Sequence, residues 1–385
     1  MKKNLTTWAA AAFALCGLKA QAQITLDGIV SANEIGTGTA KYVSLGAFTP
    51  THVGTAGFGF QGLLRMYAAT SSTKLYVALA GSIEPGGNNF QLYLDVPGRT
   101  GVPAGTLLPN IAGNGTAFAT DPTDPNKSIG GTKMEMDVDL AIALTGGGDV
   151  QTAVFSSATT AVAKSIGGGA AILNDGTPNT TSGATGVYAP FASTRVSYLI
   201  STPDINANPG SRNGGGAGSY AVEYEFNRAS LGMANPAAVV RLMAAYVSGD
   251  AYWSSDVIPE VTGNGNNNLG FKPDFTALAG TQVATFSGVL SSRTADAVVL
   301  GLNVFPNPSQ GQAAIVSYRV LDRAQPVAVR VMDLLGRQVK TLLDQAQNAG
   351  THNLAVPAGT LAAGTYLVQV RVGDKTATSK LVVTE

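Results

Sequence analysis

Phe90-Gln91-Leu92-Tyr93-Leu94-Asp95-Val96 alternates strictly, with Phe90, Leu92, Leu94 and Val96 on one face and Gln91, Tyr93 and Asp95 on the other. Period-two alternation marks a β-strand laid against a core. The reading extends outward in both directions. KLYVALA (Lys74 to Ala80) precedes it as another strand, and GSIEPGGNN between them carries turn residues, so the two are expected to close as a hairpin. KMEMDVDLAIAL (Lys133 to Leu144) repeats the pattern, with Met134, Met136, Val138 and Leu140 expected inward and Glu135, Asp137 and Asp139 outward. Thr194 to Ile200, Tyr220 to Phe226, Ala237 to Gly249 and TQVATFSGV (281–289) read as further strands. Asn227 is placed to cap a turn of helix in NRASLGM, and residues 204–219, rich in Gly, Asn and Pro, read as a mobile loop.

Composition agrees. Only 12% of the 385 residues are charged, against a usual share of about a quarter. Gly, at 47 residues, is well above its usual share of about 7%. With 45% hydrophobic residues the chain can bury a core in each of two domains. No repeat of fixed period occurs, which argues against a solenoid or propeller. The expected architecture is all-β: a large extracellular β-sandwich over 23–287, a linker over 288–300, and a small immunoglobulin-like sandwich over 301–385.

Net charge is zero overall but unevenly placed. Residues 24–300 hold 13 Lys/Arg against 19 Asp/Glu, whereas residues 301–385 hold 8 against 5. No basic stripe exists to engage a phosphate backbone, which argues against nucleic-acid binding. The amino terminus has Lys2 and Lys3, an apolar run from Trp8 to Leu18, and Ala20-Gln21-Ala22 as a small-x-small cleavage site. Residues 1–22 therefore read as a cleavable signal peptide. No later stretch reaches the roughly 20 apolar residues a membrane-spanning helix needs. Cys16, the one cysteine, lies in that leader, so the mature chain is expected to have no disulfides, thiolate metal sites or cysteine nucleophile.

The tail carries ordered motifs: LNVFPNPSQG (302–311), VRVMDLLGRQV (329–339), GTHNL (350–354), LAAGTYLVQVRV (361–372) and KLVVTE (380–385). Their order resembles the type A C-terminal sorting domain of the type IX (Por) secretion system of Bacteroidota. Pro306, Asn307, Pro308 and Gly311 set a turn, with Asn307 expected to bond its own backbone. Asp333, Gly336 and Arg337 fit a hairpin turn, and Gly364, Tyr366 and Lys380 complete the pattern. The resemblance implies type IX machinery as partner and passage through the periplasm to the outer-membrane surface or the medium. It also implies removal of the tail, with the new end attached to surface lipopolysaccharide or released. Glu385 departs from the basic residue on which the family usually ends.

A looser resemblance covers ITLDGIVSANEI (24–35), LYVALAG and NNFQLYLDVPGRTG (75–101), and YEFNRASLGM and VRLMAAYVSGD (224–250). These are similar to the sandwich group of family 9 carbohydrate-binding modules and DOMON-type domains. His52 is the only histidine of this region, so no Met/His haem pair is supplied.

Among catalytic arrangements, a Ser-His-Asp triad is disfavoured because His52 and His352 lie in different domains and no nucleophile elbow is present. Glu223 with Glu225, and Glu135 with Asp137 and Asp139, are carboxylates two apart on one strand face, read as solvated outer faces rather than a glycosidase pair. Structural Ca²⁺ is the one ion considered, at Asp121-Pro122-Thr123-Asp124-Pro125-Asn126 or Asn264 to Asn268, although neither matches an EF-hand loop and self-bonded turns explain them equally. The Gly clusters at 146–148, 167–169 and 214–216 read as loops rather than phosphate cradles. For ligand binding, Tyr252, Trp253 and Asp256 stand together after a strand, with Tyr188 and Phe191 as a second aromatic candidate. The sequence thus points to a secreted, non-catalytic protein that binds a glycan or other extracellular ligand. A structural surface or matrix protein and a carboxylate-dependent polysaccharide hydrolase are the alternatives.

Overall fold

The computed structural model describes residues 24–52, 61–167, 175–199, 214–235, 237–287, 300–320, 324–333, 337–373 and 375–384. The expected leader, nearly all of the linker, residues 204–213, Gly336 and Glu385 lie outside them. In chain order the larger module holds β1 (Ile29–Val30), β2 (Val43–Ala47), β3 (Gly62–Thr70), β4 (Lys74–Ser82) and β5 (Asn89–Asp95). There follow β6 (Leu140–Thr145), β7 (Val150–Ser157), β8 (Thr160–Ser165), β9 (Asn179–Thr180) and β10 (Arg195–Tyr198). The set ends with β11 (Ser219–Asn227), β12 (Val239–Val247), β13 (Tyr252–Ile258), β14 (Gly270–Phe271) and β15 (Ala284–Ser287).

These strands form two antiparallel sheets. One is seven-stranded, in the order β2-β3-β4-β11-β10-β9 with β1 on the start of β11. The other is eight-stranded, in the order β14-β13-β12-β5-β6-β7-β8 with β15 on the first half of β12. The alternation of Phe90 to Val96 is realised as β5, at the centre of the second sheet. The expected hairpin is not. β4 belongs to the seven-stranded sheet and β5 to the eight-stranded one, so the connection arches from one sheet to the other. Both strands are buried on both faces, and a central strand in each sheet satisfies that where a two-stranded ribbon would not.

The inner core lies between the sheets and contains Leu75, Val77 and Leu79 of β4 with Phe90, Leu92 and Leu94 of β5. Each sheet also has an apolar outer face. On the eight-stranded sheet, Tyr93, Ala141, Ala143, Phe155, Met243 and Trp253 are covered by the long excursion between β5 and β6, through Leu108, Phe118, Met134 and Met136, and by Phe275. On the seven-stranded sheet, Tyr67, Tyr76, Ala78, Ala80 and Ala221 are covered by the first described residues, through Ile24, Leu26 and Tyr42. Met134, Met136 and Val138 are buried, but in the outer cover, whereas Leu140 turns into the inner core. The expected single strand over 133–144 is therefore split, and only β6 is regular; Asp139 is buried at 1% exposure rather than solvated. NRASLGM closes as turns rather than helix, with Asn227 Oδ1 accepting from the Ala229 N–H at 3.0 Å.

The tail holds β16 (Asn303–Phe305), β17 (Ser309–Gln310), β18 (Ala314–Val320), β19 (Gln325–Met332), β20 (Gln338–Gln347), β21 (Gly350–Val356), β22 (Gly364–Val372) and β23 (Lys375–Thr384). A three-stranded sheet, β16-β18-β21, packs on a five-stranded one, β17-β23-β22-β19-β20. Val316, Tyr318, Val329, Val331, Val368 and Val370 form its core. β20, which follows the 333–337 turn, is an edge strand, largely exposed and correspondingly polar.

Trp253 tests the covered face directly. Its ring stacks on Tyr93 (centroids 5.8 Å apart, planes at 17°) and meets Phe275 edge-on at 5.2 Å. Trp253→Ala is expected to lower the stability of the larger module by about 3–5 kcal/mol in urea unfolding of the full chain. A loss below about 1 kcal/mol would place the ring outside the core.

Candidate functional site

The residues singled out for ligand binding do not converge. Trp253 is fully buried, so it offers no face to a sugar, and the expected platform is corrected to a core residue. Tyr252, its neighbour on β13, faces the other way and is half-buried against Phe271 (5.1 Å, edge-on). Asp256 is 2% exposed and fastens the two sheets together. Its Oδ2 accepts the Leu63 N–H at 3.0 Å and lies 2.8 Å from His52 Nε2, and its Oδ1 accepts the Ser255 hydroxyl at 2.9 Å. Tyr188 sits in a 3₁₀ turn, Gly186–Phe191, half-buried with Lys164 Nζ 6.0 Å from its ring centre. Phe191 is buried in the inner core.

The β11 carboxylates are also inside. Glu223 is fully buried beneath the N-terminal cover, which corrects the solvated face expected for it. One oxygen accepts the Tyr42 hydroxyl at 2.8 Å. The other accepts the N–H groups of Gly28 (2.8 Å) and Asp27 (3.0 Å) and the Ser197 hydroxyl (3.2 Å). Gly28 is required there, because it has φ +76° and a Cβ would lie 2.4 Å from the Leu199 nitrogen. Burial pushes the Glu223 carboxyl up to about 8 despite these donors. Glu225, 4% exposed, is clamped between Lys74 (3.0 Å) and Arg195 (3.2 Å).

In the two loops considered for Ca²⁺, local turn bonds engage one oxygen of each aspartate and the asparagine amides. Asp121 Oδ1 accepts the Thr123 N–H (2.7 Å) and hydroxyl (2.6 Å), and Asp124 Oδ1 accepts the Asn126 N–H (3.0 Å). Asn264 and Asn267 bond each other's carbonyls at 2.6 Å, and Asn266 bonds the Thr51 carbonyl at 2.8 Å. Among the described residues no group of three or more His, Cys, Asp or Glu side chains gathers as a metal site.

A cleft of about 510 Å³ lies elsewhere, at the end of the eight-stranded sheet where β5 begins and β6 and β12 finish. Two turns supply Gly87, Gly249 and Asp250, the end of β6 supplies Thr145, β7 supplies Gln151, and the covering excursion supplies Gly113 to Ala117, Ala119 to Pro122 and Lys127. Gln151 Oε1 accepts the Ala117 N–H at 2.7 Å, which holds the excursion over the sheet. Lys127 and Asp250 pair across the rim at 2.9 Å, raising the Lys127 pKa, while the Thr123 hydroxyl and N–H hold the Asp121 carboxyl below its ordinary value. On the same face, next to Thr145 and Gln151 in strand register, Asn89 Oδ1, Gln91 Nε2 and Trp253 Nε1 are buried and find no hydrogen-bond partner among the described residues. Sequence reading missed this site. Its only signal was the placing of Gly-rich turns at strand ends that tertiary pairing brings to one side.

In the tail, Asn307 bonds β23 rather than its own backbone: its Nδ2 donates to the Lys380 carbonyl at 2.7 Å and its Oδ1 accepts the Val382 N–H at 2.9 Å. The flanking Pro306 and Pro308 remove two donors from this segment, and Asn307 supplies a side-chain rung between β16 and β17. Gly311, at φ +61°, then donates its N–H to the Thr384 carbonyl at 3.3 Å. Asp333 accepts from Arg337 through both N–H (2.9 Å) and Nε (2.6 Å), and the Tyr366 hydroxyl donates to the Ala362 carbonyl at 2.9 Å, just ahead of Gly364. His352 stacks on Tyr318 at 5.6 Å, a structural position.

Residues 303–384 match the family described as "Secretion system C-terminal sorting domain". The tail thus marks the chain for type IX export to the cell surface or the extracellular space, and no helix among the described residues is long and apolar enough to cross a membrane. No curated protein matches the chain. Among solved structures, CopC from Methylosinus trichosporium OB3b is 21% identical over 21% of this chain and 90% of its own, with a TM-score of 0.16. Dimeric latent PorU from Porphyromonas gingivalis is 12% identical over 82% of this chain and 32% of its own, at 0.19. A tetra-tandem repeat in the extending region of a large adhesion protein is 10% identical over 83% and 73%, at 0.17. The chain spans about a third of the PorU length.

Two consequences are measurable. Because the Glu223 pKa is raised from 4.5 to about 8, the folded state holds this proton more tightly than the unfolded chain. Its contribution to stability is full below pH 4.5 and declines as pH rises to about 8. Glu223→Gln is expected to flatten that decline in thermal unfolding scans; an unchanged slope would mean that the carboxylate is not desolvated. Asn307→Ala removes both bonds to β23 and is expected to speed amide exchange at Val382, with a loss of about 1–3 kcal/mol in the tail.

Proposed function

We propose that the module over residues 24–287 is a non-catalytic binding domain, delivered by the tail, which takes a glycan in the cleft at the end of the eight-stranded sheet. The lining of the cleft carries this reading. It presents hydroxyl, amide and backbone groups from Thr116, Thr145, Gln151 and the Gly-rich turns, beside the buried amides of Asn89 and Gln91, each with one atom unspent. Closely spaced polar donors and acceptors in a concave site, with the Lys127–Asp250 pair on its rim, suit a polyhydroxylated ligand. The looser resemblance to carbohydrate-binding sandwiches points the same way, although the stacking aromatic it would use is not Trp253.

The hydrolase alternative fares worse on the same geometry. Glycosidic cleavage needs one carboxyl held protonated opposite a second one. Of the two acids lining the cleft, Asp121 is held below its ordinary pKa by its own loop and Asp250 is paired with Lys127. Neither is placed as a general acid. A purely structural surface role is the remaining alternative, and the polysaccharide partner, whether surface lipopolysaccharide or external, is part of what has to be tested.

The experiment is a binding screen of the secreted full chain against neutral polysaccharides such as xylan, mannan and β-glucan, together with lipopolysaccharide. Retention on at least one is expected, with the dissociation constant raised about tenfold or more, or about 1.4 kcal/mol, in Lys127→Ala/Asp250→Ala at unchanged melting temperature. Absence of binding to every glycan would leave the structural role standing. Release of reducing ends would restore the hydrolase.

A further inference from the structure

Phe271 is 42% exposed. It lies on β14, a strand of two residues at the edge of the eight-stranded sheet, and pairs in register with Tyr252 at the start of β13. The two rings meet edge-on at 5.1 Å, and Tyr252 is half-buried. A single exposed apolar side chain needs no explanation. This pair is different, because the backbone on either side of it is held where side chains are rarely tolerated. Among the described residues four that are not glycine have positive φ, and two of these flank the pair: Ala251 (φ +61°) before Tyr252 and Lys272 (φ +52°) after Phe271. Gly270, at φ +80°, precedes Phe271; beyond its chain neighbours, a Cβ there would meet only the Tyr252 ring, at 3.9 Å. Conformations of this kind persist only where the surrounding structure imposes them, and they cluster at functional sites.

An amide-rich loop lies on one side of the rings. The Leu269 N–H donates to the Trp253 carbonyl at 3.1 Å and Asn268 Oδ1 accepts the Ser255 N–H at 3.2 Å, so the loop runs fixed alongside β13. Asn267 Nδ2 is engaged by the Asn264 carbonyl, which leaves Asn267 Oδ1 and Asn268 Nδ2 uncommitted among the described residues, both of them on exposed side chains. The cleft adjoins the other side. Tyr252 follows Asp250 by two residues, and Lys272 Nζ donates to the Pro125 carbonyl at 3.0 Å, in the loop whose Lys127 pairs with Asp250. The aromatic pair therefore stands between free amides and the rim of the cleft.

We infer that Tyr252 and Phe271 form an outer subsite for the same glycan, stacking a sugar ring of a chain that continues out of the cleft past the Lys127–Asp250 rim. The C–H face of a sugar packs against an aromatic ring, while its hydroxyls require polar partners around the edge, which the Asn267 and Asn268 amides provide. Rings fixed in advance by the flanking turns lose little freedom when the ligand arrives. The inference rests on the glycan reading of the cleft and narrows its ligand class to a polysaccharide chain, since a single sugar held in the cleft would leave the aromatic pair unused.

The test is calorimetric titration of the full chain with xylan, mannan and β-glucan, and with short and long oligosaccharides of whichever is retained. Phe271→Ala removes an exposed side chain, so the melting temperature is expected to stay unchanged. The dissociation constant for the polymer is expected to rise about tenfold, and the gain in affinity from short to long oligosaccharides is lost. Phe271→Trp and Tyr252→Phe keep a ring in place and keep the binding. Unchanged affinity in Phe271→Ala, with loss in Lys127→Ala/Asp250→Ala, overturns the outer subsite and leaves the cleft standing. Loss in Phe271→Ala with Lys127→Ala/Asp250→Ala unaffected supports the aromatic subsite and removes the cleft instead. A wild-type chain that retains none of these glycans overturns both. So does a concentration-dependent dimer, seen by analytical ultracentrifugation and abolished in Phe271→Ala, for the outer subsite alone, because it assigns the rings to a contact between two copies.

Discussion

Both sheets of the larger module are apolar on both faces, and everything else in it follows from the need to cover the outer ones. Leu92 and Tyr93 are neighbours on one strand, yet they belong to different cores. A two-layer sandwich would leave Tyr93, Met243 and Trp253 in water. At about 25 cal/mol per Å² of apolar surface, covering them favours ordering a long segment, and the chain does so with the excursion between β5 and β6. The seven-stranded sheet is covered in turn by the N-terminal segment. Small residues on the outer faces, such as Ala78, Ala80 and Ala221 on one and Ala141, Ala143 and Ala245 on the other, let these covers approach closely.

Covering a sheet with irregular chain traps polar groups that a regular strand would satisfy. The larger module meets this with buried side chains used as hydrogen-bond hubs. Glu223 collects the N–H groups of Asp27 and Gly28, Glu34 collects those of Thr25 and Ser31, and Asp256 takes that of Leu63 at the joint between sheets. The same device in the tail is Asn307, which stands in for a strand residue against β23. Where the satisfaction is incomplete, around Asn89 and Gln91, single buried amide atoms are left without a partner among the described residues.

Delivery and the proposed binding belong to separate modules. The tail is a small sandwich in which Asn307, Gly311, Asp333 and Arg337 serve turns and strand ends. The cleft is built from the other module's turns. The low charge density of the chain fits both: hydrogen bonds and packing, rather than ion pairs, hold each module in the absence of disulfides.

The alternation of Phe90 to Val96 was enough to show a strand, and the ordered tail motifs were enough to show the export domain, because both signals are local: a period of two, and turn residues at fixed spacing. Which residues face solvent was not local. Trp253 and Glu223 each read as surface candidates because alternation reports only that two faces differ, and it is silent on whether a distant segment covers the second one. The arch from β4 to β5 was hidden for the same reason, since turn residues show that a chain reverses but not into which sheet. The cleft exists only through pairing between strand residues 46 to 56 apart in sequence. Burial on both faces, decided by long-range packing, is what turned an outer-face tryptophan into core and brought turns from four parts of the chain to one end of a sheet.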